Sequence, residues 1–107
     1  MRKNTISTLY KSITSATTTT LISKGGTISG DIYKISICNN SANAATGISV
    51  HLWSGVGGQP VHPFVHNVTI PSGATLILDD NLDFNKDNFN LIISNAGTAP
   101  DLTVIIK

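Results

Sequence analysis

Glutamate is missing from this chain of 107 residues, and all six of its acidic residues are Asp. Charged residues of both signs make up only 12% of the sequence, with a formal net charge of +1. No electrostatic footprint for nucleic acid or an anionic membrane exists in such a chain. The single cysteine, Cys38, excludes an internal disulfide, and its apolar surroundings in sequence suit a buried, unreactive thiol. No apolar run approaches the ~20 residues needed to span a bilayer. Arg2-Lys3 is followed by a polar segment rather than an apolar one, so a secretory signal is not expected and synthesis is expected in the cytoplasm. Catalytic motifs are equally scarce. There is no G-x-S-x-G, no H-E-x-x-H and no Glu to join an Asp in acid–base work. The glycines at 55–58 fall between two strand patterns and lack the Lys of a phosphate loop, which makes them a hairpin tip. The expectation is a protein that is not an enzyme and needs no cofactor.

What the chain does have is Ser, Thr and Asn in quantity, and apolar residues in a period of two. Hydroxyls and amides can hydrogen-bond across protein contacts where like charges would repel, which suits a dense assembly. Strands are expected over 16–23, 31–39, 47–55, 61–71, 88–95 and 101–107, with a further one in ATLILDD. Within 47–55, Ile48, Val50 and Leu52 take the core side, and Ser49, His51 and Trp53 the other. Within 61–71, Phe64, His66, Val68 and Ile70 fall on one face, and Pro63 argues for an edge strand or an irregular start. No segment carries a helical apolar stripe. Short strands joined by Gly, Pro and Asn turns predict an all-β fold, an antiparallel β-sandwich of about seven to eight strands, immunoglobulin-like or jelly-roll. One domain covers 16–107, and residues 1–15 form either its first strand or an N-terminal arm.

The stretch DDNLDFNKDNFN, Asp79 to Asn90, contains four of the six Asp residues. Asp79, Asn81 and Asp83 match the first positions of a calcium loop, but Phe84 replaces its glycine and Asn90 its closing Glu. The stretch is better explained as a crossover between strands, with Leu82 and Phe84 tucked inward. His62 and His66 have a zinc-ligand spacing only on a helix; along a strand they stand ~13 Å apart. No metal site is expected. The candidate protein-interface residues are Trp53, His51, His62, Phe64, His66 and Tyr10: aromatic side chains favour protein contacts, and the histidines are expected at the surface or an interface rather than on a metal.

Three runs, YKISICNNSANAATGISVHLW, HNVTIPSGATLILDDNLDF and NFNLIISNAGTAPDLTVIIK, cover most of the chain after Ser29. Together they resemble small β-sandwich virion proteins of tailed bacteriophages, notably those of marine bacteria and cyanobacteria. The resemblance lies in Ile70-Pro71-Ser72-Gly73, the Asp/Asn crossover, and the closing Asp101-Leu102-Thr103-Val104-Ile105. It implies a structural role on the virion, first as a capsid decoration (cement or knob) protein and second as a tail or neck component. The implied partners are the major capsid protein or other virion proteins, and further copies of the chain in a homo-oligomer. A competing expectation is a carbohydrate- or receptor-binding module, with a glycan held by Trp53 and the amides of Asn39, Asn40 and Asn43.

Overall fold

The computed structural model describes residues 8–25, 30–53, 62–79, 82–84, 89–97 and 99–107, with backbone alone for His62 and residues 82–84. The described chain is all-β. Its strands are β1 (Leu9–Ile13), β2 (Thr18–Ile22), β3 (Gly30–Ile32), β4 (Ile35–Asn39), β5 (Ala45–Trp53), β6 (His62–Ile70), β7 (Thr75–Leu78), β8 (Leu82–Phe84), β9 (Asn90–Ser94) and β10 (Leu102–Ile106). Two four-stranded antiparallel sheets form the sandwich, one in the order β1-β10-β4-β7 and the other β2-β9-β5-β6, while β3 and β8 pair separately.

The pairing is nested. Strand β1 lies on β10, β2 on β9, β3 on β8, β4 on β7 and β5 on β6, all antiparallel. The chain is thus one long two-stranded ribbon whose tip is the β5–β6 connection. Successive segments of the ribbon alternate between the sheets, and β10–β4 and β9–β5 contacts complete each sheet. This is jelly-roll topology. An immunoglobulin-like sandwich pairs its strands in a different order, and that alternative does not describe this chain.

Alternation places the core as expected in the central strands. Ile48 and Val50 of β5, Leu91 and Ile93 of β9, and Leu102 and Val104 of β10 are fully buried. Each such side chain contributes about 2–3 kcal/mol by leaving water, as an upper estimate. Ile35 and Ile37 of β4 join them, and Leu76 and Leu78 of β7 pack on the rim.

Several expected features differ. The single strand over 31–39 is broken at Tyr33-Lys34, whose N–H groups both donate to the Lys107 carbonyl, at 2.6 and 3.1 Å, as the chain passes from the β3–β8 ribbon into the first sheet. In β6 the expected shared face fails. Val65 and Ile70 are buried and Val68 partly so, whereas Phe64 and His66 are exposed. A bulge is the cause: Asn67 has φ 55°, Gly47 opposite has φ 62°, and the β5–β6 register shifts three times. Each inserted residue flips the parity of the residues beyond it. Finally, the acidic stretch is more than a crossover, because it contains β8, which sets Asp83 opposite Asp31. The inward placement expected for Leu82 and Phe84, and the tip at 55–58, lie outside the described residues.

Cys38 also departs from expectation. It follows Ile37 on β4 and so points to the outer face, half-buried between Thr103 and Thr75, with its Sγ 3.5 Å from Asn40 Oδ1.

Candidate functional site

The outer face of the second sheet gathers most of the interface candidates. His51 stands opposite Ile92 of β9 and Pro63 of β6, and Trp53 stands opposite Asn90. Strand alternation puts His51, Trp53, Ile92 and Asn90 on the same side, away from the core. His66 reaches this side from β6, beyond buried Val65. Phe64 sits in the register shift between Pro63 and Val65 and is 40% exposed.

His51 and Ile92 are buried although they face outward. Asn90 braces the end of this face, donating from Nδ2 to the Trp53 carbonyl (3.2 Å) and accepting the Lys24 N–H at Oδ1 (2.8 Å). The Trp53 indole N–H is buried with no hydrogen-bond partner among the described residues. Burial disfavours the His51 imidazolium, and the charge of nearby His66 disfavours it further, so its pKa lies below the ordinary 6.5. A neutral imidazole is therefore the native form at neutral pH.

That shift has a measurable consequence. The unfolded chain takes up a proton at His51 more readily than the folded one. Stability is then fully present above the ordinary His pKa and falls as pH drops through it toward the native value. A lower Tm at about pH 5.5 than at about pH 7.5 is expected, and the difference should shrink in His51→Gln. Equal pH dependence in the two proteins would remove His51 as the cause.

Two candidates lie elsewhere. Tyr10 is 73% exposed on the outer face of the first sheet, where it pairs with Ile105, so it does not join the histidines. The side chain of His62 is outside the described residues; its backbone stands opposite Leu52. Among the described residues no group of three or more His, Cys, Asp or Glu could hold a metal ion.

Sequence reasoning missed the polar centre at the other end of the sandwich. Asn39 is fully buried and fully bonded: Nδ2 donates to the carbonyls of Asn43 (2.8 Å) and Ile70 (3.0 Å), and Oδ1 accepts the Ser41 N–H (3.0 Å). Asn40 donates to Thr103 Oγ1 (2.8 Å), and Ser72 Oγ donates to the Ser41 carbonyl (2.6 Å). A signal for it exists in the sequence, since Asn39 continues the buried phase of Ile35 and Ile37. These amides close the loop after β4. They sit beside the Ala45 end of β5, while Trp53 occupies its far end, roughly 27 Å away at ~3.4 Å per residue. Trp53 and Asn39, Asn40 and Asn43 therefore do not form one carbohydrate site.

The class that the topology defines is an antiparallel jelly-roll β-sandwich. No family model matches the chain, and no curated protein matches it in sequence.

Proposed function

We propose that this chain is a non-enzymatic structural protein of a virion, a decoration or cement protein that binds the outer surface of a capsid and stabilises it. The observation that carries the reading is the character of its two outward faces. Both are poor in charge and rich in hydroxyls and amides, and each sheet carries exposed apolar side chains: Tyr10 and Ile77 on the outer face of the first, Phe64 on edge strand β6 of the second. A sandwich with apolar residues on both sides can bridge neighbouring subunits, with hydroxyls and amides satisfying the rim of each contact.

The fold is compatible with this role, because jelly rolls recur in viral shells. They recur in lectins too, so the surfaces, and not the architecture, support the role. Of the two expectations for the N-terminal segment, a first strand or an arm, Leu9–Ile13 takes the strand, paired with β10 of its own sheet. Localisation on the virion and partnership with the major capsid protein follow from the same reading.

Imaging of particles assembled with and without the chain tests it. Extra density at regular positions on the capsid lattice is expected, and its occupancy should fall in a Tyr10→Ala, Phe64→Ala double variant. Density confined to the tail would replace decoration by a tail role. Intact particles that keep the chain but lose glycan binding in Trp53→Ala would favour a receptor-binding module.

A further inference from the structure

We infer that the free edge of β7 is a pairing surface for a second copy of this chain, joining two sandwiches through an antiparallel β7–β7 contact. A sandwich of two open sheets has four edge strands, here β1 and β7 in one sheet and β2 and β6 in the other. Exposed edges present unpaired N–H and C=O groups and attract other strands unless something blocks them. Three of these edges carry such a block. On β1, Lys11 occupies a core-side position opposite fully buried Val104, and its exposed ammonium charge guards that edge. On β2 the register shifts between Thr20 and Ile22. On β6 stand Pro63, the φ 55° of Asn67 and three register shifts.

Strand β7 has none of these. Thr75-Leu76-Ile77-Leu78 contains no charge and no proline, and it pairs with β4 without a register shift. Among the described residues no strand lies on its other side. The Asn39 N–H donates to the Ala74 carbonyl at 2.9 Å, which turns Ala74 toward β4. By alternation Leu76 and Leu78 turn the same way, leaving the N–H and C=O of Thr75 and Ile77 aimed outward. The Ile77 side chain is itself 50% exposed.

The occupant that fits is β7 itself. A two-fold axis at Ile77 sets Ile77 against its own copy, Leu76 against Leu78 and Thr75 against Asp79. About six backbone hydrogen bonds then form between hydrogen-bonded pairs. Charge supports this arrangement: exposed Asp79 meets a hydroxyl, whereas a parallel alignment would set Asp79 beside Asp79. The outer row Tyr10, Ile105, Ser36, Ile77 would run on into its symmetry mate, forming one row across both copies that is apolar except at Ser36. Such a contact is small, which places it among the weaker, concentration-dependent associations.

Sedimentation velocity of the full chain, from about 10 to about 500 μM, reads the association directly. A monomer–dimer equilibrium is expected, and Ile77→Lys should abolish it with an unchanged circular dichroism spectrum. In a Cys38→Ser background, Ile77→Cys should cross-link to itself under mild oxidation and Thr75→Cys should not, because only position 77 meets its own copy. A monomer at every concentration overturns the inference. So does a dimer that Ile77→Lys leaves intact, or one that cross-links as readily through position 75. This pairing does not depend on the virion role, and its failure would leave that reading standing.

Discussion

Asn39→Asp is expected to destabilise the fold by about 3 kcal/mol or more at neutral pH. The native amide donates two hydrogen bonds to carbonyls and accepts one from a backbone N–H, with no exposure to water. A carboxylate keeps the acceptor and loses both donors. It then faces the carbonyls of Asn43 and Ile70 as a buried charge with two opposed dipoles. Protonation restores one donor, so the deficit relative to the parent protein should narrow as the solution is acidified. Asn39→Leu removes the charge but strands the same backbone groups, and a cost of about 2–3 kcal/mol is expected. Urea unfolding midpoints at two pH values check both. A midpoint for Asn39→Asp within experimental error of the parent would show that the loop after β4 can rearrange freely.

The second large effect concerns Gly47. Its φ of 62° lies in the left-handed region, and a Cβ there would sit 3.0 Å from Ala96 Cβ and 3.3 Å from Ala96 N. Ala96 cannot easily retreat, since its N–H donates to the Thr46 carbonyl at 2.9 Å. Gly47→Ala therefore combines the conformational penalty of a left-handed residue, about 1–2 kcal/mol, with overpacking of similar size. Gly73 supplies the control. It has φ 75° but nothing within 4 Å of an added Cβ, so Gly73→Ala bears the conformational penalty alone. The stability gap between the two variants measures the close approach of β5 to the chain after β9. Equal losses would mean that the bulge relaxes without cost.

Both sites show how far the sequence could be read. In β9, β10 and the part of β5 after Gly47, alternation made the core-facing residues legible, because these stretches pair in regular register with β9 or β4 inside the sheets. The same alternation placed His51 and Trp53 together on the outer side. It failed in β6, where the bulge at Asn67 reverses the parity that Phe64 and His66 would otherwise share with Val68 and Ile70. An inserted residue leaves no mark in a hydrophobic pattern that a simple alternation can follow. The break at Tyr33-Lys34 was hidden for a related reason, as its backbone partner, Lys107, is remote in sequence. Tyr10 could not be separated from the histidine face by sequence, because which sheet a strand joins depends on pairing between distant segments. Asn39 reads in sequence as a loop amide, although its phase matches Ile35 and Ile37. Polar residues in buried phase are rare enough to be worth counting as core.

The nested ribbon also dictates an order of assembly. If β5 and β6 meet first, each later pair closes only the short distance left by the one before it, so the loop-closure cost of every step stays modest. If instead β1 meets β10 early, nearly the whole chain must be looped for one strand pair. Folding should therefore advance from the tip toward Leu9 and Ile106, at the slow pace of sheets built from non-local pairs. The outermost strand then carries little of the rate-limiting structure. Substitutions in β1 would speed unfolding and leave refolding nearly untouched, while those near the bulged hinge of β5 and β6 would slow refolding itself.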